Sequence, residues 1–139
     1  MTDITIIRHH HHGKPDGKPI PVRVDRWTLA KTRWRGEADD GKSFGFDLEH
    51  PLTHGDLIAD NYIIQQTPEP VLVIPRAPEM DIATLAWSIG NLHQALQVTP
   101  RELITADDTA LRPLLDGMNL YYRCEQRIFT PLRGQHHHH

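Results

Sequence analysis

The sequence predicts an α+β protein of two small modules, an N-terminal all-β domain and a C-terminal domain that mixes strands with two helices. Three features carry that reading. Residues 1–67 alternate short β-type stretches with turn signals and contain no helical period. Gln66-Thr67-Pro68-Glu69-Pro70 then holds two prolines, which restrict their neighbours to extended conformations and make a natural linker. Beyond it, an unbroken apolar run is followed by leucine and isoleucine at helical spacing. The domains are accordingly placed at residues 1–69 and 70–134, with a histidine-bearing tail at 135–139, and 139 residues suffice for two such modules.

In the first module the expected strands are residues 4–7, 22–27, 31–35, 43–48, 57–59 and 62–65. Asp39-Asp40-Gly41-Lys42 reads as a hairpin connection, and His54-Gly55-Asp56 as a second turn. In the second module Val71-Leu72-Val73-Ile74, ended by Pro75, fits a buried strand. Pro78 is expected to open a helix, with Ile82, Leu85, Ala86 and Ile89 on one face and Gly90 as the stop. Residues 95–98 and 102–105 make two short strands around Thr99-Pro100-Arg101. Asp107 or Asp108 offers an N-cap for a helix presenting Leu111, Leu114, Leu115 and Met118, with Pro113 in or near its first turn. Residues 121–129 close the module as a strand. The order β-α-β-β-α-β is that of a ferredoxin-like domain, an antiparallel sheet with two helices on one face.

Composition narrows the function. A formal charge of −3 argues against nucleic acid as the partner, since phosphate-binding surfaces are strongly basic. No run of about 18 apolar residues could span a bilayer, and no secretory h-region opens the chain, so a cytoplasmic location is expected. The single cysteine, Cys124, excludes an internal disulfide framework and reads as a small hydrophobe in a strand.

Histidine is the outlier, with 11 in the chain. Eight form two runs, His9, His10, His11 and His12, and His136, His137, His138 and His139. Clustered imidazoles suit nickel, copper and zinc; the second run is either native or the remnant of a purification tag. His93 follows the helix end at Trp87-Ser88-Ile89-Gly90-Asn91-Leu92. Gly90 and Asn91 accept the left-handed conformation of a helix-ending turn, which presets the direction of His93. By spacing alone His93 either ligates a metal, joined by its symmetry mate in a homodimer, or caps carbonyls and complements the helix dipole. His50 and His54 read as surface polar residues. Arg33 and Arg35 share one strand face, where they either dock an acidic partner or stay solvated.

Arg33-Trp34-Arg35-Gly36, Asp40-Gly41 and Gly55-Asp56, then Pro70-Val71-Leu72-Val73-Ile74, then Ala86-Trp87-Ser88-Ile89-Gly90-Asn91-Leu92-His93 and Leu96-Gln97-Val98 form a pattern that resembles the UreE family of urease accessory proteins. Glu102-Leu103, Asp108 and Leu114-Leu115 complete it, and Gly90-Asn91-Leu92-His93 is its specific part. The resemblance implies a nickel metallochaperone that is not an enzyme and that delivers Ni(II) for assembly of the urease metallocentre. It implies a homodimer through the C-terminal domain, with His93 and its symmetry mate on the ion and the two histidine runs as weaker ligands. Zn(II) or Cu(II) are alternative occupants. The implied partners are apo-urease and the urease accessory GTPase, engaged in part through the N-terminal domain, with neither nucleic acid nor membrane involved. Two departures stand out. Leu92 replaces the family's usual arginine, and Asp107-Asp108-Thr109 stands where many members carry further histidines, so those ligands do not transfer. The alternative is a passive histidine-rich metal buffer or store, whose binding would vanish with the runs.

Overall fold

The computed structural model describes residues 3–11, 13–15 and 17–133. The chain divides into two compact units, Met1–Thr67 and Pro68–His139.

In the first unit β1 (Ile4–Ile7), β4 (Ser43–Asp47) and β3 (Arg33–Glu37) form one sheet in the order β1-β4-β3. β2 (Ile20–Val24), β6 (Tyr62–Gln66) and β5 (Leu57–Ile58) form a second, in the order β2-β6-β5. The pairs β1–β4 and β2–β6 are parallel, whereas β3–β4 is a hairpin. Its connection uses Gly41 at φ 90°, and the Lys42 amide donates to Asp40 Oδ1 at 3.0 Å. Alternation sends Trp34, Phe44 and Phe46 inward to one core with Val22, Ile58 and Ile64. Trp34 stacks on Phe46 at 3.9 Å and also lies over Gly36, where an added Cβ would stand 2.9 Å from the indole.

The unit is not purely β. The strand expected at residues 22–27 ends at Val24, and Arg26–Leu29 form a one-turn helix, α1. Asp25 caps it, accepting from the Thr28 amide at 2.8 Å and from the Thr28 hydroxyl at 2.9 Å. Those bonds hold the Asp25 carboxyl below its ordinary pKa, the Thr28 amide contributing most. A cap of this kind withdraws the backbone from strand pairing.

In the second unit β7 (Glu69–Pro75), α2 (Ile82–Asn91), β8 (Gln97–Val98), β9 (Glu102–Ala106), α3 (Leu111–Gly117) and β10 (Arg123–Arg127) follow in that order. The sheet runs β10-β7-β9-β8, and every neighbouring pair is antiparallel. Both helices cover one face. Leu85 and Ile89 of α2 and Leu111 and Leu115 of α3 pack with Leu72, Ile74 and Leu103. On the other face Val71, Val73 and Ile104 are closed off by Phe129, which is fully buried. The segment after β10 therefore returns across the sheet as a strap. It is tied to the β8 side by the Thr130 amide on Gln97 Oε1 at 3.0 Å and the Leu132 amide on the Leu96 carbonyl at 2.8 Å.

Helix boundaries depart from expectation. α2 does not open at Pro78, which instead shapes a turn closed by the Met80 amide on the Ala77 carbonyl at 3.0 Å. Asp81 is its N-cap, accepting from the Thr84 amide at 3.0 Å and the Thr84 hydroxyl at 2.6 Å. The same Asp-x-x-Thr spacing starts α1 and α2. α3 has Ala110 as N-cap without a side-chain bond, and Asp108 acts two residues earlier by accepting from the Ala110 amide at 2.9 Å. Closer to the sheet, Thr105 is fully buried on the helix side and its hydroxyl has no partner among the described residues. Thr105→Val keeps the shape and removes that orphan, so it is expected to stabilise the chain by about 1 kcal/mol in urea unfolding. A loss of stability would show that the hydroxyl is satisfied.

Candidate metal centre

α2 ends in a Schellman motif, and His93 occupies its left-handed position. Leu92 is the C-cap; the His93 amide donates to the Gly90 carbonyl at 2.9 Å and the Gln94 amide to the Ile89 carbonyl at 3.2 Å. His93 itself has φ 58°, whereas Gly90 and Asn91 belong to the helix. The expected turn is thus present, shifted so that the histidine takes the conformation assigned to its neighbours. Glycine is usual at that place, and a Cβ there costs on the order of 1 kcal/mol. α3 ends the same way with Asn119 at φ 55°, the Asn119 amide on Asp116 and the Leu120 amide on Leu115. Asparagine is the ordinary substitute for glycine; an exposed histidine is less so.

Beside His93 the outer side of α2 carries one large exposed apolar side chain. Trp87 is 68% exposed, flanked one turn away by Ala83, Thr84, Gly90 and Asn91, and Leu92 is 37% exposed.

The other candidates lie elsewhere. His9, His10 and His11 follow β1 in the first unit, where the His11 amide donates to the Leu57 carbonyl at 2.7 Å and so ties His11 to β5. His12 and His136, His137, His138 and His139 lie outside the described residues. His54 is exposed, but its Nδ1 accepts from the Gln66 amide at 3.0 Å and so serves the strand end. Asp107 is taken by Arg112 in a bidentate pair at 2.9 and 2.7 Å, which depresses its pKa. Cys124 lies in β10, the strand setting expected of it, but is exposed, and Arg112 reaches its Sγ at 3.1 Å. Among the described residues no three histidine, cysteine, aspartate or glutamate side chains converge on a point that could hold a metal.

A closed ring of charges braces the strap face. Glu102 pairs with Arg123 and with Arg127 (2.8 Å), and Glu125 pairs with Arg123 (3.3 Å) and Arg127 (2.8 Å). Arg127, then Arg123, hold the Glu102 carboxyl below its ordinary value of 4.5. A folded-state pKa below the unfolded one stabilises above that ordinary value, and the contribution disappears as pH falls through the folded pKa. Glu102→Gln is therefore expected to lower the urea midpoint at pH 7 and to leave it less sensitive to acidification to pH 3. Equal losses in parent and variant would contradict this.

Residues 69–139, just over half of the chain, match the family model described as the UreE urease accessory protein, C-terminal domain. The chain is 28% identical to the urease accessory protein UreE of Lysinibacillus sphaericus, covering 100% of this chain and 96% of that one. It is 31% identical to the UreE of a Nostoc species, covering 94% and 77% respectively. With the UreE of Pseudomonas putida identity is 34%, covering 81% and 73%. These likenesses place the chain among the urease accessory proteins. It belongs to the UreE family.

Proposed function

We propose that this chain is a cytoplasmic nickel metallochaperone that binds Ni(II) as cargo and passes it to the urease assembly machinery without catalysing a reaction. The observation that carries the reading is His93, an exposed imidazole held in a left-handed backbone position that glycine would fill at lower cost. That conformation sets the direction of the His93 Cα–Cβ bond, and the imidazole turns about it.

One imidazole does not hold an ion. The second comes from a symmetry mate: two ferredoxin-like C-terminal domains meet through the α2 side that carries Trp87 and Leu92, setting two His93 rings at the axis. Water or the terminal histidines complete the coordination. An open site of this kind exchanges its ion readily, which delivery requires. The first unit then serves partner docking.

Calorimetric nickel titration of a chain lacking His9, His10, His11, His12 and the terminal run tests this. The expected stoichiometry is one ion per two chains, lost in His93→Ala. Ligation needs neutral imidazole, whose ordinary pKa is about 6.5, so the affinity is expected to fall steeply as pH drops toward 5. Binding that disappears with the runs alone would identify a passive metal buffer instead.

A further inference from the structure

The outward face of the β1-β4-β3 sheet is exposed and sets aliphatic side chains beside charged ones. Register sets three rows across it: Ile4, Ser43, Glu37; then Ile6, Gly45, Arg35; then Asp47 with Arg33, joined by Arg8 just beyond β1. Gly45 contributes no side chain. Ile6 Cδ1 comes to 3.0 Å, and Ile4 Cγ2 to 3.3 Å, of where its Cβ would be, so an aliphatic ridge lies directly against the arginine row. Ile4 is 40% and Ile6 53% exposed. A shallow groove lined by Ile6, Arg8, Arg33, Arg35 and Asp47 runs between them.

Its charges do not balance. Arg8 (3.0 Å) and Arg33 (3.3 Å) share the one carboxylate of Asp47. The Arg35 side chain has no hydrogen bond or ion pair among the described residues, although Glu37 is on the same strand face. The face thus carries surplus positive charge in a chain whose net charge is −3. Arg33 and Arg35 stand roughly 7 Å apart along the strand, the spacing of alternate side chains on an extended peptide.

We propose that this face docks an extended acidic segment of a partner protein. Carboxylates at alternate positions pair with Arg33 and Arg35, and the intervening aliphatic side chains cover Ile4 and Ile6. Guanidinium–carboxylate pairs give register, while the isoleucines supply the apolar area that charges alone lack. The inference rests on the reading of the first unit as the docking module, and because every residue involved is in that unit, its failure is distinguishable from a failure of nickel binding at His93.

The test is fluorescence anisotropy of the full chain with a labelled peptide carrying aspartates at alternate positions and valines between, against its lysine-for-aspartate counterpart. The aspartate peptide is expected to bind and the lysine peptide not to. Affinity should fall about tenfold or more between low and physiological salt. Arg35→Glu and, separately, Ile6→Asp are expected to weaken binding about tenfold. Arg101→Glu, in the second unit, should leave it unchanged. Arg35→Ala, a milder change at an exposed position, should weaken it with the far-UV spectrum unaltered. Absence of binding at millimolar peptide, equal binding of both peptides, or indifference to Arg35 and Ile6 would overturn the proposal. So would sedimentation showing that Arg35→Glu abolishes self-association, because the occupant would then be a second copy.

Discussion

Replacing His93 with glycine is expected to move two measurements in opposite directions. Glycine relieves the left-handed strain at φ 58° and should raise resistance to urea by about 1 kcal/mol. It also removes the imidazole and, under the proposed function, should abolish nickel binding by the run-deleted chain. His93→Ala makes the decisive comparison: it loses binding equally but keeps a Cβ in the strained position, so it gains no stability. A residue retained only to cap the helix would behave otherwise, with glycine the better cap and nickel indifferent to both changes. His93→Asn adds a third point, since α3 tolerates Asn119 in the same position; it should fold like the parent and fail to bind.

Chain pattern reveals the presence of this turn more readily than its register. Gly90 and Asn91 are the residues that favour left-handed backbone, yet both are helical, and α2 runs on until Leu92. The deciding factor is packing. Ile89 is fully buried against the sheet, and the Gln94 amide closes on its carbonyl, which sets the end of the helix one turn beyond Ile89. Apolar spacing shows that Ile89 faces the core but not where the last hydrogen bond falls.

The same distinction explains the strands and helix starts. Val71, Leu72, Val73 and Ile74 are buried on both faces of one strand, and an unbroken apolar run is the direct signature of that environment. Apolar spacing passes over Asp25 and Asp81, whose signal is cap chemistry, the Asp-x-x-Thr spacing that outweighs β-branched neighbours in one case and Pro78 in the other. The strap could not be read in this way. Phe129 looks like the end of a strand, and its burial depends on the chain turning back across Val71, Val73 and Ile104, residues far away in sequence. Likewise Arg33 and Arg35 announce a shared face by alternation, but that Asp47 satisfies one and leaves the other unpaired depends on register between β3 and β4.

Phe129→Ala is expected to cost about 3–5 kcal/mol, because it empties a fully buried site on the open face of the sheet. Beyond global stability, the strap should come loose locally. The Thr130 and Leu132 amides, held to Gln97 and Leu96, are expected to exchange with solvent far faster in the variant, while the Leu103 and Thr105 amides within β9 track the global change. Leu96 is three residues after His93, so the strap braces the segment that leaves the left-handed turn. Should the strap be needed to hold that segment, Phe129→Ala at a temperature where the chain remains folded will weaken nickel binding without touching a ligand. Unchanged affinity alongside lost protection at Thr130 and Leu132 would confine the strap to stability and leave the Schellman motif of α2 as the only element orienting the imidazole.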